Sequence, residues 1–193
     1  MRKIISKKDE KRKNRRNQLI IGAFLVLVMG LSTIGYSINS KRETGDVSDK
    51  LVYNNLQFTK ISGLWNVKTD SLTLYFTYSP NEVNKTSSTL NSLNTYSNKP
   101  LYISSENSNT VTEIYRNLVY ANQIALRMQE ACLENETCEG DFPKKTCSDN
   151  FIIIQESNES MIKQDKNCVF IYGKKEELVK LTDSFLYKIT GIQ

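Results

Sequence analysis

The pattern of apolar and polar residues separates an apolar N-terminal segment from a longer region with strand and helix patterns. Residues 18–38 carry no charge, and the apolar run Leu19–Ile38 is 20 residues long. A helix of that length spans about 30 Å, which matches the hydrocarbon thickness of a bilayer. The pattern therefore predicts a transmembrane signal-anchor helix over residues 18–38.

Charge on either side of this segment predicts its orientation. Residues 1–17 hold nine Lys or Arg and two acidic residues, a local charge of +7, so the remainder carries −2 of the total +5. Positive charge resists translocation, which predicts a cytoplasmic tail over residues 1–17 and an extracytoplasmic C-terminal part. The polar stretch 39–50 (NSKRETGDVSDK) is typical of a linker. We expect a single-pass protein of the cell membrane, with the lipid bilayer as one partner.

Two other interpretations of the N-terminal segment stay open. The strongest apolar run, Leu19–Leu31, has the length of a signal-peptide core, and Gly35-Tyr36-Ser37 resembles a cleavage site. The long basic lead-in favours an uncleaved anchor instead. The basic tail is also compatible with DNA or RNA binding, but it adjoins a predicted membrane segment, where an anionic leaflet attracts Lys and Arg. We therefore expect no nucleic-acid partner.

Residues 51–193 show the patterns of a folded extracytoplasmic domain. Three strand-like runs joined by two-residue links predict an antiparallel meander, and these runs are Leu56–Ile61, Leu64–Thr69 and Leu72–Tyr78. The Ser-, Thr- and Asn-rich stretch Asn84–Lys99 is expected to be mostly loop. Leu101–Ser104 follows as a short predicted strand.

Apolar residues at helical spacing predict two helices in this domain. The first begins at a capping box formed by Thr110 and Glu113 and continues to Cys132. The second covers residues 174–190 and ends at Gly191, a residue suited to a left-handed stop. Between the helices the sequence predicts the strands Phe151–Gln155, Met161–Gln164 and Cys168–Tyr172. The order predicts an α+β fold, with a mixed, largely antiparallel sheet and two main helices on one face.

Four cysteines in the domain raise the question of metal, redox or structural chemistry. Gaps of five, eight and twenty residues separate Cys132, Cys138, Cys147 and Cys168, without a CxxC motif and without histidine. Such spacing fits neither zinc fingers nor thioredoxin-like motifs. In an oxidising space an even count predicts two disulfides, although a metal site and free redox-active thiols are the alternatives. The predicted elements favour the pairs Cys132–Cys138 and Cys147–Cys168 over the other two pairings.

Several polar residues are candidates for modification or binding. Sequons at Asn84, Asn135 and Asn158 make the outer region compatible with N-glycosylation. Asn122 and Gln129 fall seven residues apart on the apolar face of the first predicted helix. A buried amide is costly unless it is hydrogen-bonded. These two residues are therefore expected to form a buried polar site or to be satisfied by sheet backbone or a chain end.

The composition excludes several kinds of active site. The chain has no histidine, so it lacks the commonest general base and a Ser-His-Asp or Cys-His site is impossible. The carboxylates of Asp70, Glu82, Glu106 and Glu113 show no paired spacing. Asp183 lies opposite the apolar face of the second helix and is expected to be a solvated charge. We expect no catalytic residue, cofactor site or metal site, and a binding protein rather than an enzyme.

Several stretches resemble the small single-pass membrane proteins predicted in small-genome archaea. They are NQLIIGAFLVLVMGLS, FTYSPNEV, KPLYISS, KKTCSDNFIII, NCVFIYG and LTDSFLYKITGI. The resemblance implies an archaeal cell-surface location with disulfides outside, and it carries over no site residues. The expected function is a membrane-anchored extracytoplasmic binding or scaffolding domain of the cell envelope, whose partner is another membrane or envelope protein. The alternative is a membrane-tethered, histidine-independent enzyme, such as a carboxylate-based hydrolase acting on envelope material.

Overall fold

The structure is a computed structural model and describes residues 15–29, 49–138 and 140–193 of the 193-residue chain. The chain divides into two units, Met1–Gly45 and Asp46–Gln193. The strands that the structure describes all belong to the second unit.

The first unit contains helix α1, residues 15–29, whose side chains are exposed throughout. Among the residues that the structure describes, no helix has both the length and the apolar character needed to cross a membrane. The predicted spanning helix over residues 18–38 is therefore not shown. Its second part, residues 30–38, lies outside the described residues, as do residues 1–14 of the predicted tail and 39–48 of the predicted linker.

An antiparallel sheet opens the second unit. Its strands are β1 Lys50–Tyr53, β2 Leu56–Ile61, β3 Leu64–Lys68 and β4 Thr73–Phe76, in that order across the sheet. The last three confirm the predicted meander, whereas β1 begins at Lys50, inside the predicted linker. The turn from β1 to β2 places Asn54 and Asn55 at φ values of 47° and 63°, a left-handed conformation that Asn tolerates better than most residues.

A second sheet is built later in the chain. Its strands are β5 Pro100–Ser105, β6 Arg127–Glu130, β9 Phe151–Glu156, β10 Met161–Asp165 and β11 Cys168–Gly173. Across the sheet they follow the order β10-β11-β9-β5-β6. The pairs β5–β6, β5–β9 and β9–β11 are parallel, and β10–β11 is antiparallel. Two short parallel strands, β7 Cys132–Leu133 and β8 Lys144–Lys145, lie between β6 and β9 in the chain.

The α+β class is confirmed, but the prediction of one largely antiparallel sheet is wrong. The described residues form a separate antiparallel sheet and a largely parallel one. The parallel pairing of β5 and β6 has a topological cause. The chain leaves β5, crosses the sheet in a helical segment and returns as β6 beside β5, and such crossovers join parallel strands.

Helix α2, Ser108–Tyr115, forms this crossover and continues as a π-helical turn over Arg116–Tyr120. The Asn107 side chain accepts a hydrogen bond from the Asn109 N–H and caps the helix. The predicted capping box at Thr110 is therefore wrong. The predicted continuation of the helix to Cys132 is also wrong, because the chain turns after residue 120 and then pairs with β5 as β6. Strand pairing there overrides the helical periodicity of the sequence.

Helix α3, Leu178–Ile189, ends the chain and packs with α2 on one face of the parallel sheet. Gly191 has a φ of 75°, and the Ile192 N–H donates to the Tyr187 carbonyl at 2.9 Å. These contacts confirm the predicted left-handed stop. The face that both helices cover consists of alternate strand residues, Leu101, Ile103, Ile152, Ile154, Val169 and Ile171.

The segment between β6 and β9 covers part of the other face of the parallel sheet. Both predicted disulfides, Cys132–Cys138 and Cys147–Cys168, are present, which confirms the preferred pairing. In the register of β9 and β11, Phe151 lies opposite Cys168, so Cys147, just before β9, reaches Cys168 at the same end of the sheet. A small buried cluster lies under this segment, formed by Tyr102, Ala131, Phe151, Ile153 and Cys168.

Candidate functional site

A cavity of about 600 Å³ lies at the carboxyl ends of β5, β6 and β9. Open sheets with parallel strands bind ligands at this edge, where successive connections leave in opposite directions. The connection from β5 leads to β6 on one side, and the chain continues from β9 to β11 on the other. The cavity therefore occupies the topological switch point of the sheet.

One wall of the cavity is the turn from β5 into α2. The Ser105 Oγ lies 2.9 Å from the Thr110 Oγ1 and accepts from the Asn107 N–H at 3.1 Å. The Asn107 Oδ1 accepts from the Asn109 N–H at 3.1 Å. Because these polar groups are fixed by the start of the helix, the wall they form is ordered before any ligand arrives.

Four glutamates line the cavity, Glu106, Glu130, Glu136 and Glu156. Glu156 has a nearby countercharge, since its Oε1 lies 3.8 Å from the Lys175 Nζ. Within the described part of the chain, no ion pair neutralises the other three. The cavity is consequently negative, and its electrostatics favour a cationic group over an anionic one.

The wall opposite α2 is a short segment held by the first disulfide, which we call the strap, residues 133–138. Glu136, Thr137 and Cys138 of the strap line the cavity. The Lys144 Nζ donates to the Glu136 carbonyl at 2.7 Å and lies 3.1 Å from the Cys132 Sγ. A covalent bond to β7 and a lysine contact from β8 thus hold the strap.

From the sequence, Glu106 was considered only as a carboxylate without a paired partner, and the other three glutamates were not predicted to form a site. Glu130 and Glu156 are the last residues of β6 and β9, and Glu106 directly follows β5. The sequence signal for these residues is an acidic residue at or just after the end of each strand. Such residues lie at one edge of the sheet only if the strands are parallel. A prediction of antiparallel strands scatters these residues between both edges of the sheet.

The described residues contain no group of three or more Cys, Asp or Glu side chains arranged to hold a metal ion. The cavity glutamates lie at separate strand ends and in the strap.

The predicted buried site of Asn122 and Gln129 is wrong, because the two residues do not share a helix. Gln129 lies in β6 and is exposed. Asn122 follows the π-helical turn, where its Oδ1 accepts from the Thr73 N–H and its Nδ2 donates to the Thr73 carbonyl, both at 2.9 Å. Satisfaction by sheet backbone, the other expectation, therefore describes Asn122.

Asn117 repeats this arrangement two residues further along β4. Its Oδ1 accepts from the Tyr75 N–H at 2.8 Å, and its Nδ2 donates to the Tyr75 carbonyl at 2.7 Å. The side chains of Asn117 and Asn122 thus replace a neighbouring strand along the edge of β4. An edge strand covered in this way offers fewer free backbone groups for pairing with another chain.

Asp183 is not the solvated charge that the sequence predicts. It is 0% exposed, and its Oδ2 accepts from the Tyr78 N–H at 2.8 Å. Glu113, 2% exposed, accepts from the Thr77 hydroxyl and from the Arg116 guanidinium, the latter at 3.1 Å. Burial, together with the nearby Glu113 carboxylate, raises the pKa of Asp183 well above its usual value.

The helix pattern misled here because α3 is buried on more than one side. The parallel sheet covers one side, and the chain just after β4 contacts another through Tyr78, whose carbonyl accepts from the Tyr187 hydroxyl at 2.8 Å. Glu113 and Asp183 do not line the cavity. We interpret this acidic pair as a junction between α2, α3 and the end of β4.

The three sequon asparagines, Asn84, Asn135 and Asn158, are all exposed. Asn135 belongs to the strap, so a glycan there would stand beside the cavity. Glycosylation at these positions stays a prediction. Comparison with protein-family models, with curated proteins and with solved structures found no match for this chain.

Proposed function

We propose that this chain is a membrane-anchored, extracytoplasmic binding domain of the cell envelope, and that its cavity receives a positively charged group of a partner protein. The observation that carries the proposal is the cavity of about 600 Å³, lined by four glutamates, at the carboxyl ends of parallel strands. Cavities of about 300–1,000 Å³ are typical of ligand sites.

The proposed location rests on the sequence and on the disulfides. Residues 18–38 are uncharged and follow a tail of charge +7, which supports an anchor with its N-terminus in the cytoplasm. Two disulfides support an oxidising surrounding. The resemblance to small archaeal membrane proteins supports an archaeal cell surface.

The proposed binding mode follows from the charge of the cavity. An exposed ion pair contributes about 0.2–1 kcal/mol, so two or three glutamates contacting one cationic segment give a weak but selective interaction. Phe142, which is 38% exposed, adds apolar surface at the same site. A lysine or arginine side chain combines a charged head with an apolar stem that matches both features.

The carboxylate-based hydrolase stays the alternative, since the same four glutamates converge on the cavity, but Asp183 is not a candidate for its general acid. Asp183, whose pKa is raised, is fully buried and does not line the cavity. A general acid must come within hydrogen-bonding reach of the substrate atom that it protonates. Asp183 therefore has no access to an envelope polymer in this arrangement.

Binding is tested with the full chain in lipid nanodiscs, titrated with a tetralysine peptide and, separately, with tetraglutamate. We expect tetralysine to bind and the double variant Glu106→Gln/Glu130→Gln to bind it about three- to ten-fold more weakly. The matched control is Glu159→Gln/Asp165→Asn, which removes the same charge from exposed positions outside the cavity. Equal losses in both variants, or no binding of tetralysine to the unchanged chain, would refute the proposal.

The orientation is tested separately with single added cysteines in intact cells. We expect a membrane-impermeant maleimide to label Ser71→Cys, and to label Ser6→Cys only after permeabilisation. The reverse pattern would overturn the proposed orientation. A mature protein whose mass begins near Ile38 would overturn the uncleaved anchor.

A further inference from the structure

We infer that the Cys132–Cys138 disulfide is a thiol–disulfide exchange site for dithiol reductants, and that its cleavage loosens the strap at the cavity. The exchange chemistry is independent of the proposed function. The consequence for ligand binding rests on the proposed function, because it assumes that the cavity is the binding site.

Each disulfide joins a buried cysteine to a half-buried one, and the two differ in what surrounds the half-buried sulfur. Cys147 is half-buried but does not line the cavity, and its partner Cys168 is 0% exposed in the small buried cluster under the covering segment. Cys138 is half-buried and lines the cavity, whereas its partner Cys132 is 1% exposed. An incoming thiolate therefore attacks the sulfur of Cys138, against the negative charge of the cavity glutamates, and Cys132 is the sulfur that leaves.

The leaving sulfur has a cation beside it. The Lys144 Nζ lies 3.1 Å from the Cys132 Sγ, and a nearby ammonium lowers the pKa of a thiol and stabilises its thiolate. A leaving thiol of lower pKa departs faster. Among the described residues, no lysine makes a comparable contact with the sulfur of Cys147 or Cys168.

The exchange proceeds in two displacements. A thiolate of the dithiol attacks the Cys138 Sγ and forms a mixed disulfide, while the Cys132 Sγ leaves with the bonding electron pair as a thiolate beside the Lys144 ammonium. The second thiol of the reductant loses its proton to water and attacks the reductant's own sulfur in the mixed disulfide. This step releases the Cys138 thiolate, which takes up a proton. The dithiol is oxidised to a disulfide, and the protein disulfide gains two electrons.

Cleavage changes the attachment of the strap. Its start stays bonded to β8, since the Glu134 N–H donates to the Lys145 carbonyl at 2.9 Å. Its end, at Cys138, loses the covalent bond to Cys132. Glu136 and Thr137 lie between these two points, so the cavity wall that carries the Glu136 carboxylate loses its covalent bond and keeps only hydrogen bonds, among them the one from the Lys144 Nζ to the Glu136 carbonyl.

Exchange is measured on the full chain in nanodiscs, with dithiothreitol, timed alkylation and peptide mass mapping. We expect Cys132–Cys138 to open well before Cys147–Cys168. The variant Lys144→Met should slow the first opening about three-fold, because the leaving Cys132 thiolate loses the ammonium beside it. The matched control is Lys145→Met, because the Lys145 Nζ lies 4.1 Å from the Tyr102 ring centre instead of near a sulfur.

Simultaneous opening of both disulfides, or equal rates in Lys144→Met and the unchanged chain, would overturn the exchange site. The consequence for the cavity is read from tetralysine affinity before and after selective reduction, and we expect at least a three-fold loss. Equal affinity of both redox forms would overturn the loosening of the strap. Absence of tetralysine binding by the oxidised chain would refute the proposed function together with this consequence, while the order of disulfide opening still decides the exchange site.

Discussion

Replacing Asp183 with Asn is expected to stabilise the fold at neutral pH. The Asp183 Oδ2 accepts from the Tyr78 N–H at 2.8 Å, whereas the buried Oδ1 has no hydrogen-bond partner in the described structure. The Asn side chain keeps the acceptor for Tyr78 and removes the negative charge that faces Glu113. The Asn Nδ2 takes the place of the unpartnered Oδ1, so the gain comes from the lost charge. A buried unpartnered group costs more when it is charged, and we expect the free energy of unfolding to rise by about 1 kcal/mol at pH 7.

The same substitution should change how stability depends on pH. Burial and the Glu113 carboxylate raise the pKa of Asp183 in the folded chain, so the folded state binds this proton more tightly than the unfolded state does. The stability from this group is therefore fully present below about pH 4, the usual pKa range of Asp. It is lost as the pH rises through the raised, folded-state pKa. Besides Glu113, the charged or titratable groups around Asp183 include Arg116 and Tyr187.

Urea unfolding of the full chain in detergent, followed by fluorescence, measures this effect between pH 4 and pH 8. The chain has a single tryptophan, Trp65, and it is 8% exposed, so unfolding changes its surroundings. We expect the stability gain of Asp183→Asn to be largest at pH 8 and to shrink towards pH 4. Asp165→Asn, at an exposed position, is the control. A variant less stable than the unchanged chain at pH 8, or a gain independent of pH, would contradict the reasoning.

Three further predictions concern stability. A hydrogen bond from Ser79 lowers the pKa of Glu82. The stability that Glu82 contributes is therefore present above the usual pKa of Glu and is lost as the pH falls through the lowered pKa of the folded chain. Glu82→Gln should make stability less sensitive to acid, measured in a pH titration of unfolding. Asn117→Ala leaves the Tyr75 N–H and carbonyl without partners and should cost about 2–4 kcal/mol in urea unfolding, whereas a loss below 0.5 kcal/mol would contradict the edge-covering role. Cys147→Ser/Cys168→Ser should lower stability by about 2–4 kcal/mol, measured in the same assay, and an unchanged urea midpoint would count against a structural disulfide.

Features of the sequence that act over a few residues predicted much of the fold. Alternation and two-residue links predicted β2 to β4, and the run Phe151–Gln155 predicted β9. The stop at Gly191 followed from the absence of a Cβ, which allows its φ of 75°. The pair Cys147–Cys168 followed from local order, because both cysteines lie beside predicted strands, whereas Cys132–Cys138 was predicted from a helix end at Cys132 that the structure replaces with β7.

The largest errors came from features set by distant parts of the chain. Apolar residues between Leu118 and Cys132 have helical spacing, yet the segment after residue 120 gains more from pairing with β5 than from another helical turn. The strand β1 was not predicted because Asn54 and Asn55 are typical of a polar loop. In the structure they form a left-handed turn that lets β1 pair with β2. At these two places the local pattern of apolar and polar residues therefore predicted the wrong secondary structure.

The sequence by itself determined the uncharged N-terminal segment, the basic tail, the absence of histidine chemistry and an α+β domain with two disulfides. These properties depend on composition and on neighbours in the chain. The tertiary structure alone decided the candidate site, because only parallel pairing brings Glu106, Glu130 and Glu156 to one edge of the sheet. It also decided the burial of Glu113 and Asp183, since that burial requires two helices and the end of β4 to meet around carboxylates that lie far apart in the chain.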